Sequence, residues 1–178
     1  MTDEVGVNLQ ADDFTLFGVA RAFEQDTAVL ARRWRELQAA AHPDRFATDG
    51  AVAQRLAMQW AVRINEAYQR LKDPVKRASL LCEMNGFAID AERNTAMPAQ
   101  FLMYQMEWRE ALDEVADLAA LEALEDEVLA ERRKAEAALG QLLDQKGDYA
   151  AAAQQVRALM FVAKFARELD ARAERFGR

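Results

Sequence analysis

Two consecutive segments in the first half of the chain carry apolar residues at every third or fourth position, the period of an amphipathic helix. Asp26 or Thr27 can cap the first helix, which is expected to run to about Ala41. Because a short connection joins the two helices, we predict an antiparallel hairpin with a shared dry seam. A short apolar segment ahead of the hairpin can pack against it. The apolar positions of the segment and the two helices are Phe14, Leu16, Phe17, Val19; Leu30, Trp34, Leu37, Ala41; and Ala53, Leu56, Trp60, Ile64, Ala67, Leu71.

The second half shows the same period in three stretches, at about 98–116, 118–146 and 148–176. Three helices with short connections predict an antiparallel bundle. A shorter helix, opened by the capping pair Asp73-Pro74, precedes them and is expected to end near Asn85-Gly86. The predicted inner faces of the three stretches are Phe101, Trp108, Leu112, Val115; Leu121, Leu124, Val128, Ala135, Leu139, Leu142; and Tyr149, Ala152, Val156, Leu159, Ala163, Ala166.

The chain is therefore predicted to be all-α, with two modules. The expected divisions are a loose polar tail at 1–11, a hairpin module with short helices at 12–85, a linker without a period at 86–97, and a three-helix bundle at 98–178. Charge also changes along the chain, because residues 27–85 hold ten Lys/Arg against six Asp/Glu while residues 86–178 hold twelve against eighteen. This change suggests modules with different partners, and the acidic second half argues against a nucleic-acid binder.

Composition narrows the class of protein further. Cys82 is the single cysteine among 178 residues, which excludes an internal disulfide framework and a CxxC zinc site. No apolar run approaches the roughly 20 residues that a membrane span needs. The N-terminal residues are acidic and lack the apolar core of an export signal. We expect a cytoplasmic protein without a membrane segment, metal or cofactor.

The only histidine, His42, lies between the two hairpin helices in the run Ala41-His42-Pro43-Asp44-Arg45-Phe46. Proline fixes its own φ and disfavours helix at the residue before it, so the loop is expected to be stiff and exposed. A lone histidine is usually a structural or surface residue. A metal site would need several ligands, and the chain has no second histidine. A hydrolase triad would need a serine nucleophile on an exposed turn, but the only serine, Ser79, lies within a predicted amphipathic helix. Recognition of an acidic partner surface is the remaining functional reading, with Arg32 and Arg35 flanking the loop.

The loop and its surroundings resemble a J-domain. His42-Pro43-Asp44 stands between a helix bearing arginines and a helix that ends in Ile64-Asn65-Glu66-Ala67-Tyr68-Gln69-Arg70-Leu71. The resemblance implies docking on an ATP-bound chaperone of the seventy-kilodalton heat-shock (DnaK) class and stimulation of its ATP hydrolysis. The residues implied in chaperone binding are His42, Pro43, Asp44, Arg45, Arg32, Arg33 and Arg35.

A second feature is the segment Phe101-Leu102-Met103-Tyr104-Gln105-Met106-Glu107-Trp108-Arg109-Glu110, which has two apolar faces on a helical wheel. Phe101 and Trp108 lie on the sector that also holds the core positions, and Leu102, Met103 and Met106 lie on another. The second face is either a wide core contact from a helix wedged between two others or an exposed binding patch with an acidic rim. Methionine suits an adaptable contact surface.

The chain as a whole is similar to the HscB family of iron–sulfur cluster co-chaperones, from about Asp12 to its C-terminus. The likeness rests on the runs Asp13-Phe14-Thr15-Leu16-Phe17-Gly18, His42-Pro43-Asp44-Arg45-Phe46, Phe101-Leu102-Met103 and Trp108-Arg109-Glu110. It implies that the bundle binds the cluster scaffold protein IscU and that the chaperone partner is HscA. The implied scaffold-binding residues are Leu102, Met103, Met106, Glu107, Glu110 and Phe161. The chain departs from the family at Ala39 and Ala40, where basic residues are common, and at Met160.

The expected function is that of a co-chaperone and not an enzyme. The J-domain would engage an HscA-type chaperone, the bundle would hold an IscU-type scaffold, and ATP hydrolysis would belong to the chaperone. A general J-protein adaptor for a different client is the alternative, followed by a structural helical bundle and a small hydrolase that uses His42.

Overall fold

The computed structural model describes residues 8–177, and every regular element in that range is a helix. The helices are α1 Asp13–Phe17, α2 Thr27–Ala40, α3 Ala51–Lys72, α4 Pro74–Met84, α5 Ala99–Glu114, α6 Leu118–Gly140 and α7 Tyr149–Arg175. A 3-10 helix at Pro43–Phe46 follows α2, and a π-helical turn at Gln141–Lys146 follows α6. The predicted all-α architecture is confirmed. None of the helices in residues 8–177 is long and apolar enough to cross a membrane.

Aspartates begin several of these helices, as the sequence predicted. The Asp26 carboxylate accepts hydrogen bonds from the amides of Ala28 and Val29 at 2.8 and 3.2 Å. Asp73 accepts from the second and third residues of α4 at 2.9 and 3.0 Å, and Asp148 accepts from Ala151 at 3.0 Å. Each carboxylate satisfies amides that have no partner inside their own helix.

The chain divides into two compact units, residues 1–77 and 78–178. The division falls inside α4, ahead of the segment 86–97 that was expected to be a linker. That segment is attached to the second unit, because the buried Arg157 guanidinium donates to the carbonyls of Ile89, Ala96 and Ala88 at 2.8, 3.1 and 3.3 Å. The predicted domain boundaries stay a prediction.

In the first unit, α1 packs its apolar residues onto the hairpin formed by α2 and α3. One expected core position is wrong, because Leu56 is 47% exposed while its neighbour Ala57 is buried. At about 100° per residue, Leu56 lies roughly 70° from the line of Ile64 and Leu71, and Ala57 lies within about 30° of it. The buried apolar side chains of this unit include Phe14, Leu16, Phe17, Phe23, Leu30, Ala57, Ile64, Ala67 and Leu71.

A polar contact, absent from the expected apolar seam, joins α2 and α3 at an exposed edge of the hairpin. The Trp34 indole donates to the Asn65 side-chain oxygen at 2.8 Å, and the Gln38 amide donates to the same oxygen at 2.8 Å. Trp34 also stacks on Tyr68 with ring centroids 5.1 Å apart. An amphipathic tryptophan at a helix–helix contact supplies apolar area and still needs an acceptor for its N–H.

Part of the expected loose tail is also ordered against α3. The Arg63 guanidinium donates to the carbonyls of Leu9 and Ala11 at 3.3 and 2.7 Å. It also pairs with the buried Asp13 carboxylate at 2.8 Å, and Arg70 pairs with the same carboxylate at 2.6 Å. Two guanidinium groups thus compensate one buried carboxylate. Residues 1–7 of the predicted tail lie outside the described residues.

In the second unit, α6 and α7 pack along their lengths and α5 packs on both. The predicted inner face of α6 is confirmed from Leu121 to Leu139, but Leu143 is buried where Leu142 was expected, because the π-helical turn shifts the register. On α7, Ala163 and Ala166 are only half-buried, and the buried positions are Val162, Phe165 and Leu169. The buried face rotates along α7 because its second half also meets α5, where Phe165 stacks on Trp108 at 5.6 Å.

Candidate functional site

The loop at residues 42–46 exposes His42, Asp44 and Arg45, as predicted, while Pro43 and Phe46 are half-buried. His42 caps the 3-10 helix from an extended conformation, with φ −62° and ψ 128°, and its Nδ1 accepts the amide of Asp44 at 3.2 Å. Arg45 closes the turn, because its amide donates to the His42 carbonyl at 3.0 Å and its guanidinium donates to the Ala39 carbonyl at 3.3 Å. Pro43 at the first helical position needs no hydrogen-bond partner there. The geometry of this loop is therefore set by its own residues.

The loop presents two complementary polar groups to solvent. The His42 side chain is 58% exposed, and that of Asp44 is almost fully exposed. With Nδ1 occupied as an acceptor, a neutral His42 ring carries its proton on Nε2, which is free to donate to a partner. The Asp44 carboxylate, 3.5 Å from Nδ1, is free to accept. The loop can bind a surface that offers both a hydrogen-bond acceptor and a cation.

The arginines of α2 differ in their surroundings. Arg32 and Arg35 are exposed, and Arg32 makes only a long 3.8 Å pair with Glu36. Arg33 is half-buried, because its Nε donates to the Phe17 carbonyl at 2.9 Å and its Nη1 donates to Glu36 at 3.0 Å. The three arginines implied in chaperone binding are thus not equivalent, because Arg33 also holds the end of α1 against α2.

The approach of Arg33 also explains the glycine at the end of α1. Gly18 has φ 62°, and a Cβ built on it would lie 2.8 Å from Nη2 of Arg33. A side chain there would be strained by the backbone conformation and would also displace the guanidinium.

The second apolar face of α5 is exposed, which argues against the alternative of a wide core contact. Leu102, Met103 and Met106 are 48%, 60% and 77% exposed, and we call these three the α5 apolar face. Glu107 and Glu110 are exposed beside it. Since large apolar residues grouped on a surface mark contact sites, the arrangement suits a partner with an apolar patch. The predicted exposure is confirmed, and the binding role stays a prediction.

Phe161 of α7 is half-buried and meets α5 through an aromatic stack. Its ring lies 5.8 Å from that of Trp108, at an angle of 16°. Only part of the Phe161 ring is therefore available to a partner, because one of its faces packs on Trp108. Its neighbour Met160 is 44% exposed.

Sequence reasoning missed the residues that support this surface. Tyr104 stacks on Trp108 with centroids 4.7 Å apart and planes 5° apart. The Trp108 indole donates to Glu127 of α6 at 2.8 Å, and Arg109 pairs with Glu168 of α7 at 3.3 Å. A buried indole N–H predicts that some acceptor is present. The charge pattern could not select Glu127 among the many acids of α6.

Metal-ion clusters and the cysteine thiol were the two remaining chemical features to place in the structure. Within residues 8–177, no cluster of three or more His, Cys, Asp or Glu side chains is arranged to hold a metal ion. Burial raises the pKa of the Cys82 thiol to about 11, and a thiol that stays protonated at neutral pH is a poor nucleophile.

Comparison with known proteins identifies relatives over nearly the full length. A family profile described as the HSCB C-terminal oligomerisation domain matches residues 97–170. The chain is 50% identical to a "Co-chaperone protein HscB homolog" of Bordetella petrii over 165 residues, covering 92% of this chain and 97% of that one. It is 46% identical to the homolog of Burkholderia thailandensis over 172 residues, covering 95% and 98%.

Two solved structures share the fold. HscB from Vibrio cholerae matches with a TM-score of 0.80 and 38% identity, covering 93% of this chain and 99% of that one. Human co-chaperone HscB matches with a TM-score of 0.84 and 26% identity, covering 93% and 84%. The helical hairpin with its His-Pro-Asp loop and the three-helix bundle thus correspond to the J-domain and the C-terminal bundle of such structures.

Proposed function

The chain belongs to the HscB family of co-chaperones, and from that premise we propose that it serves iron–sulfur cluster assembly through two separate surfaces. The loop of residues 42–45, together with Arg32 and Arg35, docks on an HscA-type chaperone of the DnaK class and stimulates its ATPase. The α5 apolar face, with Glu107, Glu110 and Phe161, binds an IscU-type scaffold protein. The chain itself supplies no catalytic group, and the ATP is hydrolysed by the chaperone.

The observation that carries the proposal is the exposure of the α5 apolar face beside a filled core. Phe101 and Trp108 are buried and already supply the contacts that α5 needs inside its bundle. Leu102, Met103 and Met106 therefore contribute little to folding, and their exposure in water is compensated only when a partner covers them. The acidic rim favours a partner surface that carries basic residues.

The proposed role of the 42–45 loop in chaperone binding is supported by the hydrogen bonds within the loop. His42 accepts the amide hydrogen of Asp44, and this hydrogen bond restrains the backbone that carries both side chains. Such preorganisation lowers the entropic cost of binding. The exposed arginines of α2 add a basic contribution that acts mainly on encounter and orientation.

A steady-state ATPase assay tests the two surfaces together. We expect the chain to raise the ATPase rate of an HscA-type chaperone and the scaffold to raise it further. The Leu102→Ala, Met103→Ala, Met106→Ala variant should keep the first effect and lose the added effect of the scaffold. A chain that stimulates the chaperone but is indifferent to the scaffold would instead be an adaptor for another client. A chain that does not stimulate the chaperone would contradict the proposal.

A further inference from the structure

Trp108 lies at the centre of the aromatic residues beneath the proposed scaffold surface. Its ring, 1% exposed, stacks on Tyr104 of the same helix and on Phe161 and Phe165 of α7. The Phe161 ring is one of the residues proposed to touch the scaffold. The orientation of the Trp108 ring therefore sets where Phe161 can lie.

The indole ring is fixed by a single directed contact to α6. Its Nε1 donates to Oε1 of Glu127 at 2.8 Å, a short distance for an N–H to a carboxylate oxygen. Stacking alone restrains the plane of a ring but leaves it able to rotate within that plane or to flip. The hydrogen bond selects one orientation, because a buried N–H without an acceptor is costly.

We infer that Glu127 is a positioning residue for scaffold binding, acting through Trp108 on Phe161 from a helix that contributes nothing else to the proposed site. This inference rests on the proposed scaffold-binding function of the α5 apolar face. Glu127 does not touch the scaffold. It keeps the aromatic stack in its binding-competent arrangement, so its loss lowers the fraction of molecules that can bind and raises the apparent Kd in proportion.

The test compares three variants of the full chain. Glu127→Ala removes the acceptor, and Glu127→Gln removes the charge but keeps an amide oxygen at the same position. Asp126→Ala is the matched control, because it removes the neighbouring exposed acid from the same helix and leaves Trp108 untouched. Scaffold affinity is measured by calorimetry with an IscU-type protein. The Trp108 indole N–H is followed by ¹⁵N NMR, its resonance being identified among the three tryptophans by its loss in Trp108→Phe.

We expect Glu127→Ala to weaken scaffold binding by about fivefold, which corresponds to a competent fraction of roughly one fifth. Its indole resonance should move, while Glu127→Gln and Asp126→Ala should keep both the affinity and the resonance near wild type. Unchanged binding in Glu127→Ala would overturn the inference, as would an equal loss in all three variants, which would indicate a charge effect. Absence of scaffold binding by the wild-type chain would overturn the proposed function and the inference with it.

Discussion

Removing the side chains of the α5 apolar face should weaken scaffold binding strongly and leave the fold intact. Burying a leucine or methionine side chain fully is worth about 2 kcal/mol. Since Leu102, Met103 and Met106 are already 52%, 40% and 23% covered by their own bundle, each can gain only the remaining part, about 1 to 1.5 kcal/mol. The triple alanine variant should therefore lose about 3 kcal/mol of binding, on the order of a hundredfold in Kd.

The same exposure predicts a small effect on stability. Exposed substitutions away from special features usually change the free energy of unfolding by less than about 0.5 kcal/mol each. Phe161 is left in place, because its stack on Trp108 means that truncating it would also disturb the bundle. Leu129→Ala is the control, since Leu129 is 42% exposed on α6 and lies outside the proposed site.

Calorimetric titration with the scaffold measures the loss of affinity, and urea unfolding measures the loss of stability. In the triple variant we expect the large loss of affinity together with a loss of at most about 1.5 kcal/mol in the free energy of unfolding. In Leu129→Ala, neither the scaffold affinity nor the urea midpoint should change appreciably. A triple variant that binds within about twofold of wild type and unfolds at markedly lower urea would refute this reasoning. In that case the face would be a core contact of the bundle.

The remaining predictions concern charges of the first unit. Arg32→Glu combined with Arg35→Glu should reduce chaperone stimulation most at low salt, because exposed charges are screened as ionic strength rises; normal stimulation at every salt concentration would contradict this. Arg33→Ala should instead lower the free energy of unfolding by about 1 to 2 kcal/mol, since it leaves the Phe17 carbonyl without its donor; an unchanged urea midpoint would contradict this. Burial alone would raise the pKa of Asp12, but hydrogen bonds from Thr15 and the Arg21 guanidinium outweigh it and lower the pKa below 3.8. Its charge therefore stabilises the fold above pH 4, and that contribution is lost as the pH falls through the lowered pKa. Asp12→Asn should be less stable than wild type at pH 7, and the difference should shrink as the pH falls below 3.8 and through the lowered pKa; a pH-independent difference in unfolding midpoint would contradict this.

Patterns that depend on local geometry were predictable from the sequence. Helix period and capping residues located the hairpin and the bundle, and the proline after His42 predicted the end of α2 and the exposed loop. The wheel of α5 separated Phe101 and Trp108 from Leu102 and Met106 because a helix fixes the angle between its own residues.

Features that depend on which helices meet were not predictable. Arg33 and Arg35 look alike in the sequence, and only the packing of α1 beside α2 gives Arg33 a carbonyl to bind. The pairing of Glu127 with Trp108 spans two helices, and no local pattern specifies such a contact.

The central claim is that the chain acts on a chaperone through the loop that His42 holds, and the His42→Gln variant tests it most directly. The measurement is the single-turnover ATP hydrolysis rate of an HscA-type chaperone with wild-type or variant chain, alongside urea unfolding of each. We predict that stimulation is lost while the free energy of unfolding stays within about 0.5 kcal/mol, because the His42 side chain is largely exposed and lies outside the core. Full stimulation by a folded His42→Gln variant would contradict the account, and so would a variant that unfolds at markedly lower urea.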